Sequence, residues 1–296
     1  MNTKLPGIAV LLAAVLWGTT GTAQRLAPSG ASPFAFGAMR LAVAALFLLI
    51  VGMLRGKLKF KGLPAAGLLT ASLGMALYQP LFFSGIRMTG IAVGTSVTLG
   101  SAPVITGCLE WAISGKKPKA AWWLATLCAV TGSVLLLSSE KGGANAAGLL
   151  MAVGAGGSFA VYTLASKRLL ESHSSDTVSA AVFGLSALWL SPLLFFFDLS
   201  WLGTWNGAAA SLHIGIAATG IAYLLYTYGL ARLPAASAVT LSLGEPLTAS
   251  LLGVLLFGEQ LGSAGIGGAA LLLGGLAILA FPAAGRRSRM TAVPDK

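Results

Sequence analysis

The chain has 296 residues, of which 9% are charged and 56% hydrophobic, and a net charge of +11. A water-soluble domain carries about a quarter charged residues, so this composition excludes a soluble enzyme or binding domain and points to a bilayer as solvent. The basic residues fall in short clusters between apolar runs, which is the pattern of membrane topology rather than of a nucleic-acid partner.

A helix needs about 20 mostly apolar residues to cross the hydrocarbon core. Ten segments qualify: residues 6–23, 33–54, 63–86, 91–113, 121–138, 147–166, 177–197, 207–228, 235–257 and 264–282. The first, preceded by Lys4, has some features of a secretory signal. Cleavage would leave nine spans and break the repeat described below, so it is taken as a helix containing Trp17. The second contains Arg40, and the third holds Tyr78, Gln79, Phe82 and Phe83 around Pro80. The fourth carries Pro103 and, near its end, Glu110. Cys108 and Cys128 lie in the fourth and fifth without metal or disulfide spacing and read as buried thiols. Tyr162 is in the sixth segment and Pro192 in the seventh. Tyr223, Tyr226 and Tyr228 are in the eighth, and Glu245 and Pro246 in the ninth. Trp201 and Trp205, between the seventh and eighth, are expected as interfacial anchors. The spacings Gly90/Gly94, Gly154/Ser158 and Ala270/Gly274 let helices approach closely, within the bundle by default or in a dimer.

With a cytoplasmic N-terminus, the inner side receives Lys4, the cluster from Arg55 to Lys61, Lys116, Lys117 and Lys119. It also receives Lys167, Arg168, Arg232 and the tail residues Arg286, Arg287, Arg289 and Lys296. Only Arg25, Arg87 and Lys141 fall outside. The positive-inside rule thus places both termini in the cytoplasm of an inner-membrane protein, with the Arg55 to Lys61 stretch against anionic headgroups.

An offset of 143 residues brings the halves into register: Arg25-Leu26 falls on Arg168-Leu169, Ala92 on Ala235, Pro103 on Pro246 and Gly132 on Gly275. Each half, residues 1–143 and 144–296, holds five segments. An odd number sends the second half into the membrane from the opposite side, so the repeat is inverted. Inverted repeats around a site near the bilayer midplane are a recurring plan for secondary transporters.

Leu233-Pro234-Ala235-Ala236, Leu243-Gly244-Glu245-Pro246, Phe257-Gly258-Glu259, Gly268 and Gly274-Gly275 together resemble the end of an EamA domain of the drug/metabolite transporter superfamily. Leu16-Trp17-Gly18 is similar to the opening helix of that family. The first half departs from the pattern: Ala102 stands opposite Glu245 and Lys116 opposite Glu259. The resemblance implies an all-α, ten-helix membrane bundle. Within the superfamily it extends to the YddG-type exporters of aromatic and other amino acids.

A charge at mid-bilayer costs at least about 2.5 kcal/mol, so Arg40, Glu110 and Glu245 require a reason to be there. Glu110 is expected to snorkel toward Lys116 and Lys117. Glu245, flanked by Gly244 and Pro246 at a helix break, suits a substrate ammonium, a coupling proton or an ion pair with Arg40. Arg40 suits a substrate carboxylate or a structural or gating partner. One anchor of each sign matches an amino-acid zwitterion, whereas nucleotide sugars would call for several cations.

Trp17, Tyr78, Gln79, Phe82, Phe83, Tyr162, Tyr223 and Tyr226 are the candidates to complete the pocket, with core packing or lipid contact as the other reading of each. Pro80, Pro103 and Pro246 are the candidate hinges. His173 and His213 have no catalytic partners, and there is no phosphate loop, so no enzyme activity, metal or cofactor is expected. The sequence reads as a secondary transporter exporting amino acids or similar small metabolites by alternating access. A multidrug or nucleotide-sugar carrier is the alternative, and a membrane enzyme or scaffold is the reading from a different class.

Overall fold

A computed structural model describes residues 5–26, 32–137, 145–258 and 260–280. Lys4, Lys141, Glu259 and the basic tail, which enter the orientation and family arguments, lie outside the described residues. Among the described residues every regular element is helical. The first half contains α1 (Leu5–Leu26), α2 (Pro33–Leu54), α3 (Ala65–Thr89), α4 (Ile91–Ser114) and α5 (Ala120–Leu137). The second contains α6 (Ala146–Leu169) and α7 (Ser175–Leu190), the latter followed by the single turn Leu193–Phe196. It continues with α8 (Trp205–Leu230), α9 (Ala235–Phe257) and α10 (Ser263–Ala280). Nine helices among the described residues are long and apolar enough to cross a membrane; α4, rich in Gly, Ser and Thr, packs among them.

Local chemistry sets the boundaries. Asn145 accepts the Ala147 and Gly148 N–H groups to start α6. Ser174 accepts the Thr177 N–H at 3.2 Å, which starts α7 two residues earlier than expected. Thr204 caps α8 through the Gly207 N–H, making Trp205 the first helical residue and leaving its side chain exposed. Gly90, at φ 87°, separates α3 from α4 by one residue.

Two helices are irregular. Residues His213–Ile221 of α8 form a π-helix, and α9 breaks at Ser242-Leu243 between Ala235–Leu241 and Gly244–Phe257. The break follows from Pro246. A proline four residues on offers no N–H to the Ser242 carbonyl, which accepts the Glu245 N–H at 3.0 Å instead. Pro80 and Pro103 sit inside continuous helices, and Pro192 lies just beyond the end of α7.

The packing pairs exchange when the halves are exchanged. α3 packs on α6 and α7, as α8 does on α1 and α2; α4 packs on α6, as α9 does on α1; α2·α7 and α5·α10 map onto themselves. In lipid such contacts rest on close van der Waals fit rather than on a hydrophobic drive. α5 and α10 meet through Gly132, Gly268 and Gly275. Gly274 has open space around it, so the Ala270/Gly274 spacing lies away from that contact.

Two other expectations are corrected. Trp201 is buried, with its ring 5.5 Å from Phe36 and its Nε1 donating to the Asp198 carbonyl, because the short helix Ser200–Gly203 folds it inward. Cys108 is exposed on the surface of α4; both cysteines are free.

Candidate functional site

A cavity of about 630 Å³ opens between the halves. Its wall includes Gln24, Arg25, Ile86 and Leu137, so its mouth lies at the end of the bundle where α1, α3 and α5 finish. α1 supplies Trp17, α2 Arg40, α3 Tyr78, Phe82 and Phe83, α6 Phe159, α8 Tyr223, and α9 Ser242 and Glu245.

Close approach of α1 and α9 places Glu245 beside Trp17. A Cβ on Gly18 would lie 2.7 Å from the Glu245 carbonyl, so only glycine permits this separation. Glu245 falls in the first turn of the second segment of α9, where the N-terminal end of the helix dipole favours a carboxylate. Across the cavity the Arg40 Nε donates to Thr219 Oγ1 at 2.6 Å. Thr219 belongs to the π-helical stretch, so the irregularity in α8 helps aim this guanidinium. No protein group among the described residues binds the Arg40 Nη groups or the Glu245 carboxylate, and the two do not form a direct ion pair. Apart from Arg25 at its mouth, the cavity therefore offers, among the described residues, one cation, Arg40, and one anion, Glu245, each with open hydrogen-bonding capacity.

The floor and one wall are aromatic. Trp17 lies 4.9 Å from Tyr223 and 5.4 Å from Tyr226, ring centre to ring centre, and Tyr78 stacks on Phe82 at 5.4 Å. Trp17 is buried, yet its Nε1 has no hydrogen-bond partner among the described residues.

Seven sequence candidates meet in the cavity: Trp17, Arg40, Tyr78, Phe82, Phe83, Tyr223 and Glu245. Three do not reach its surface. Tyr226 lies beneath Trp17, with its hydroxyl 2.9 Å from Thr163 Oγ1. Tyr162 is packed behind Phe159. Gln79, one residue from Tyr78 and so turned about 100° round the helix, is buried beside Gly37 of α2. Phe159, Gln24, Thr98 and Ser242 were not among the candidates. Phe159 had a readable signal, an aromatic three residues before Tyr162; the others carry little that distinguishes them from ordinary helix residues.

Glu110 does not snorkel to the lysines. Its two carboxylate oxygens accept the Ala235 and Ala236 N–H groups, each at 2.8 Å, capping α9 from another helix.

A multi-pass helical membrane protein with a charged, aromatic cavity between two repeated halves has the architecture of a membrane transporter. The EamA-like transporter family matches residues 5–138 and again residues 146–281, and the chain belongs to that family. It is 48% identical over 284 residues to the uncharacterized transporter YwfM of Bacillus subtilis (strain 168), covering 95% of this chain and 96% of that one. It is 26% identical over 263 residues to the threonine/homoserine exporter RhtA of Escherichia coli (strain K12), covering 88% and 86%. A protein crystal structure at 22% identity superposes with a TM-score of 0.81, covering 92% of this chain and 95% of that one, which shows the shared fold.

Proposed function

We propose that this transporter exports amino acids across the inner membrane by alternating access. The observation that carries the reading is the cavity, where an open guanidinium at Arg40 faces an open carboxylate at Glu245 across an aromatic wall. A free amino acid brings one carboxylate and one ammonium. Arg40 pairs with the first and Glu245 with the second, while Trp17, Tyr78, Phe82, Phe83 and Tyr223 cover the side chain. Gln79, Tyr162 and Tyr226 brace that wall from behind. The similarity to a threonine/homoserine exporter supports the same cargo class.

The mechanism needs ten spans in two inverted halves, residues 1–143 and 144–296, with both termini cytoplasmic. The exchange of packing pairs between halves supports this arrangement, and in it the cavity mouth faces outward. Pro80, Pro103 and Pro246 are the positions where α3, α4 and α9 flex as the site changes sides, and the break beside Pro246 carries Glu245 with it. Purified protein in liposomes is expected to give saturable counterflow of at least one member of a panel of radiolabelled amino acids. Absence of flux across the panel, with competition by cationic drugs for binding, would assign the cavity to a drug carrier instead.

A further inference from the structure

At the end of the bundle opposite the cavity mouth, the turn at residues 231–234 joins α8 to α9. Two charged side chains from other helices grip it. Glu110 of α4 accepts the Ala235 and Ala236 N–H groups at 2.8 Å each. Lys167 of α6 donates to the Leu230 and Leu233 carbonyls at 2.8 and 2.6 Å. α6, α7 and α8 begin on their own neutral caps, Asn145, Ser174 and Thr204, whereas α9 follows Pro234 and takes its cap from α4. Charge-assisted contacts on both sides of one short turn hold four helices together where the cavity is closed.

Ala235 precedes Glu245 by ten residues, about 15 Å along a helix. The Trp17, Tyr223, Tyr226 and Tyr162 rings fill the space between the cavity and this end. Opening a path to the cytoplasm requires the turn to leave α4 and α6, which breaks all four hydrogen bonds.

We propose that Glu110 and Lys167 form the latch of the inner gate, and that Gln24 forms its weaker counterpart at the outer gate when the carrier faces inward. This rests on the alternating-access reading. The 143-residue offset that superimposes the halves puts Lys167 on Gln24, Leu230 on Arg87 and Leu233 on Gly90. Exchange of the two conformations therefore carries the Gln24 amide onto the Arg87 and Gly90 carbonyls at the turn between α3 and α4. In the outward-open structure Gln24 is exposed at the cavity mouth.

The counterpart of Glu110 is Gly253, which has no carboxylate. The outer latch thus has a neutral amide where the inner one has an ammonium, and nothing in place of the carboxylate. The difference biases the empty carrier toward the outward-open state. Glu110, Lys167 and Gln24 act here as positioning residues for the gates, away from the substrate.

The test uses the full chain with Cys108→Ala and Cys128→Ala and one reporter cysteine at a time. Ser166→Cys sits fully buried near the inner end of α6, and Thr20→Cys lies on the cavity wall. Labelling by a membrane-impermeant maleimide is measured in inside-out vesicles for the first and right-side-out vesicles for the second. Glu110→Gln and Lys167→Gln are each expected to raise labelling at position 166 about tenfold, the equivalent of one lost charge-assisted hydrogen bond, and to lower it at position 20. Gln24→Lys, on a surface that tolerates charge, is expected to move both reporters the same way as those variants.

Labelling that rises at both sites would mark Glu110 and Lys167 as a structural brace and overturn the proposal, as would reporters that do not move. No substrate is needed, so the outcome is separable from the cargo. Opposed shifts without amino-acid flux would keep the latch and remove the cargo assignment. Opposed shifts on adding an amino acid, with none from Glu110→Gln or Lys167→Gln, would keep the carrier and remove the latch.

Discussion

Gly132→Ala adds a single carbon at the contact between α5 and α10. That Cβ would lie 2.6 Å from the Leu272 backbone nitrogen and 2.7 Å from the Gly268 carbonyl oxygen. Ordinary contact is about 3.5 Å, and backbone on a packed helix cannot turn aside, so the helices must part by roughly 0.8 Å. The site has a repeat-related partner: a Cβ on Gly275 would meet the Ala125 carbonyl at 2.6 Å and the Ala129 nitrogen at 2.9 Å. Overpacking of this kind costs about 1–3 kcal/mol, offset by about 1 kcal/mol of helix propensity gained on leaving glycine. Gly274→Ala, one residue from Gly275 but with nothing within 4 Å, keeps only the gain. Thermal unfolding of both variants in one detergent is expected to place Gly274→Ala at or above the parent and Gly132→Ala below it, separated by about 1–3 kcal/mol. Equal melting temperatures, or the reverse order, would refute the assignment of α5·α10 as a tight contact between the halves.

Four further variants test the site and its supports. Glu245→Gln is expected to raise the KM of amino-acid exchange about tenfold, through loss of the partner of the substrate ammonium; an unchanged KM would remove the carboxylate from the site. Phe82→Ala should raise the transport KM by opening the cavity wall. Tyr226→Phe should leave KM unchanged and cost about 1 kcal/mol of stability through the lost bond to Thr163, so matched KM changes would place Tyr226 in the site. Trp201→Ala should destabilise the fold by about 3 kcal/mol, because its ring is buried against Phe36; a neutral effect in thermal unfolding would return it to the interface.

The helices were legible because length and apolarity are local properties, and their starts moved by at most two residues, earlier where Ser174 and Thr204 cap α7 and α8 and later at α3. The break in α9 was legible through Pro246. The π-helical stretch of α8 was not, because its residues have the same apolar character as an α-helical span. In the cavity, Arg40 and Glu245 stood out because charge inside a membrane is costly. Tyr226 and Gln79 were misplaced for a rotational reason: membership of a helix leaves open which face looks into the cavity. Tyr226 shares its helix with Tyr223, but Trp17 lies across it. Glu110 binds backbone groups 125 and 126 residues away, a pairing invisible until α4 and α9 are docked. Its nearest charged neighbours in sequence, Lys116 and Lys117, pointed the wrong way.

Recognition of both ends of a zwitterion can be measured by competition. In proteoliposomes exchanging the best-transported radiolabelled amino acid, excess of its methyl ester removes the carboxylate that Arg40 would hold, and excess of its N-acetyl derivative removes the ammonium that Glu245 would hold. Both derivatives are expected to compete at least tenfold more weakly than the free amino acid, a loss of one charged contact each. Competition by either derivative as strong as that of the parent amino acid would contradict pairing of the cargo between Arg40 and Glu245.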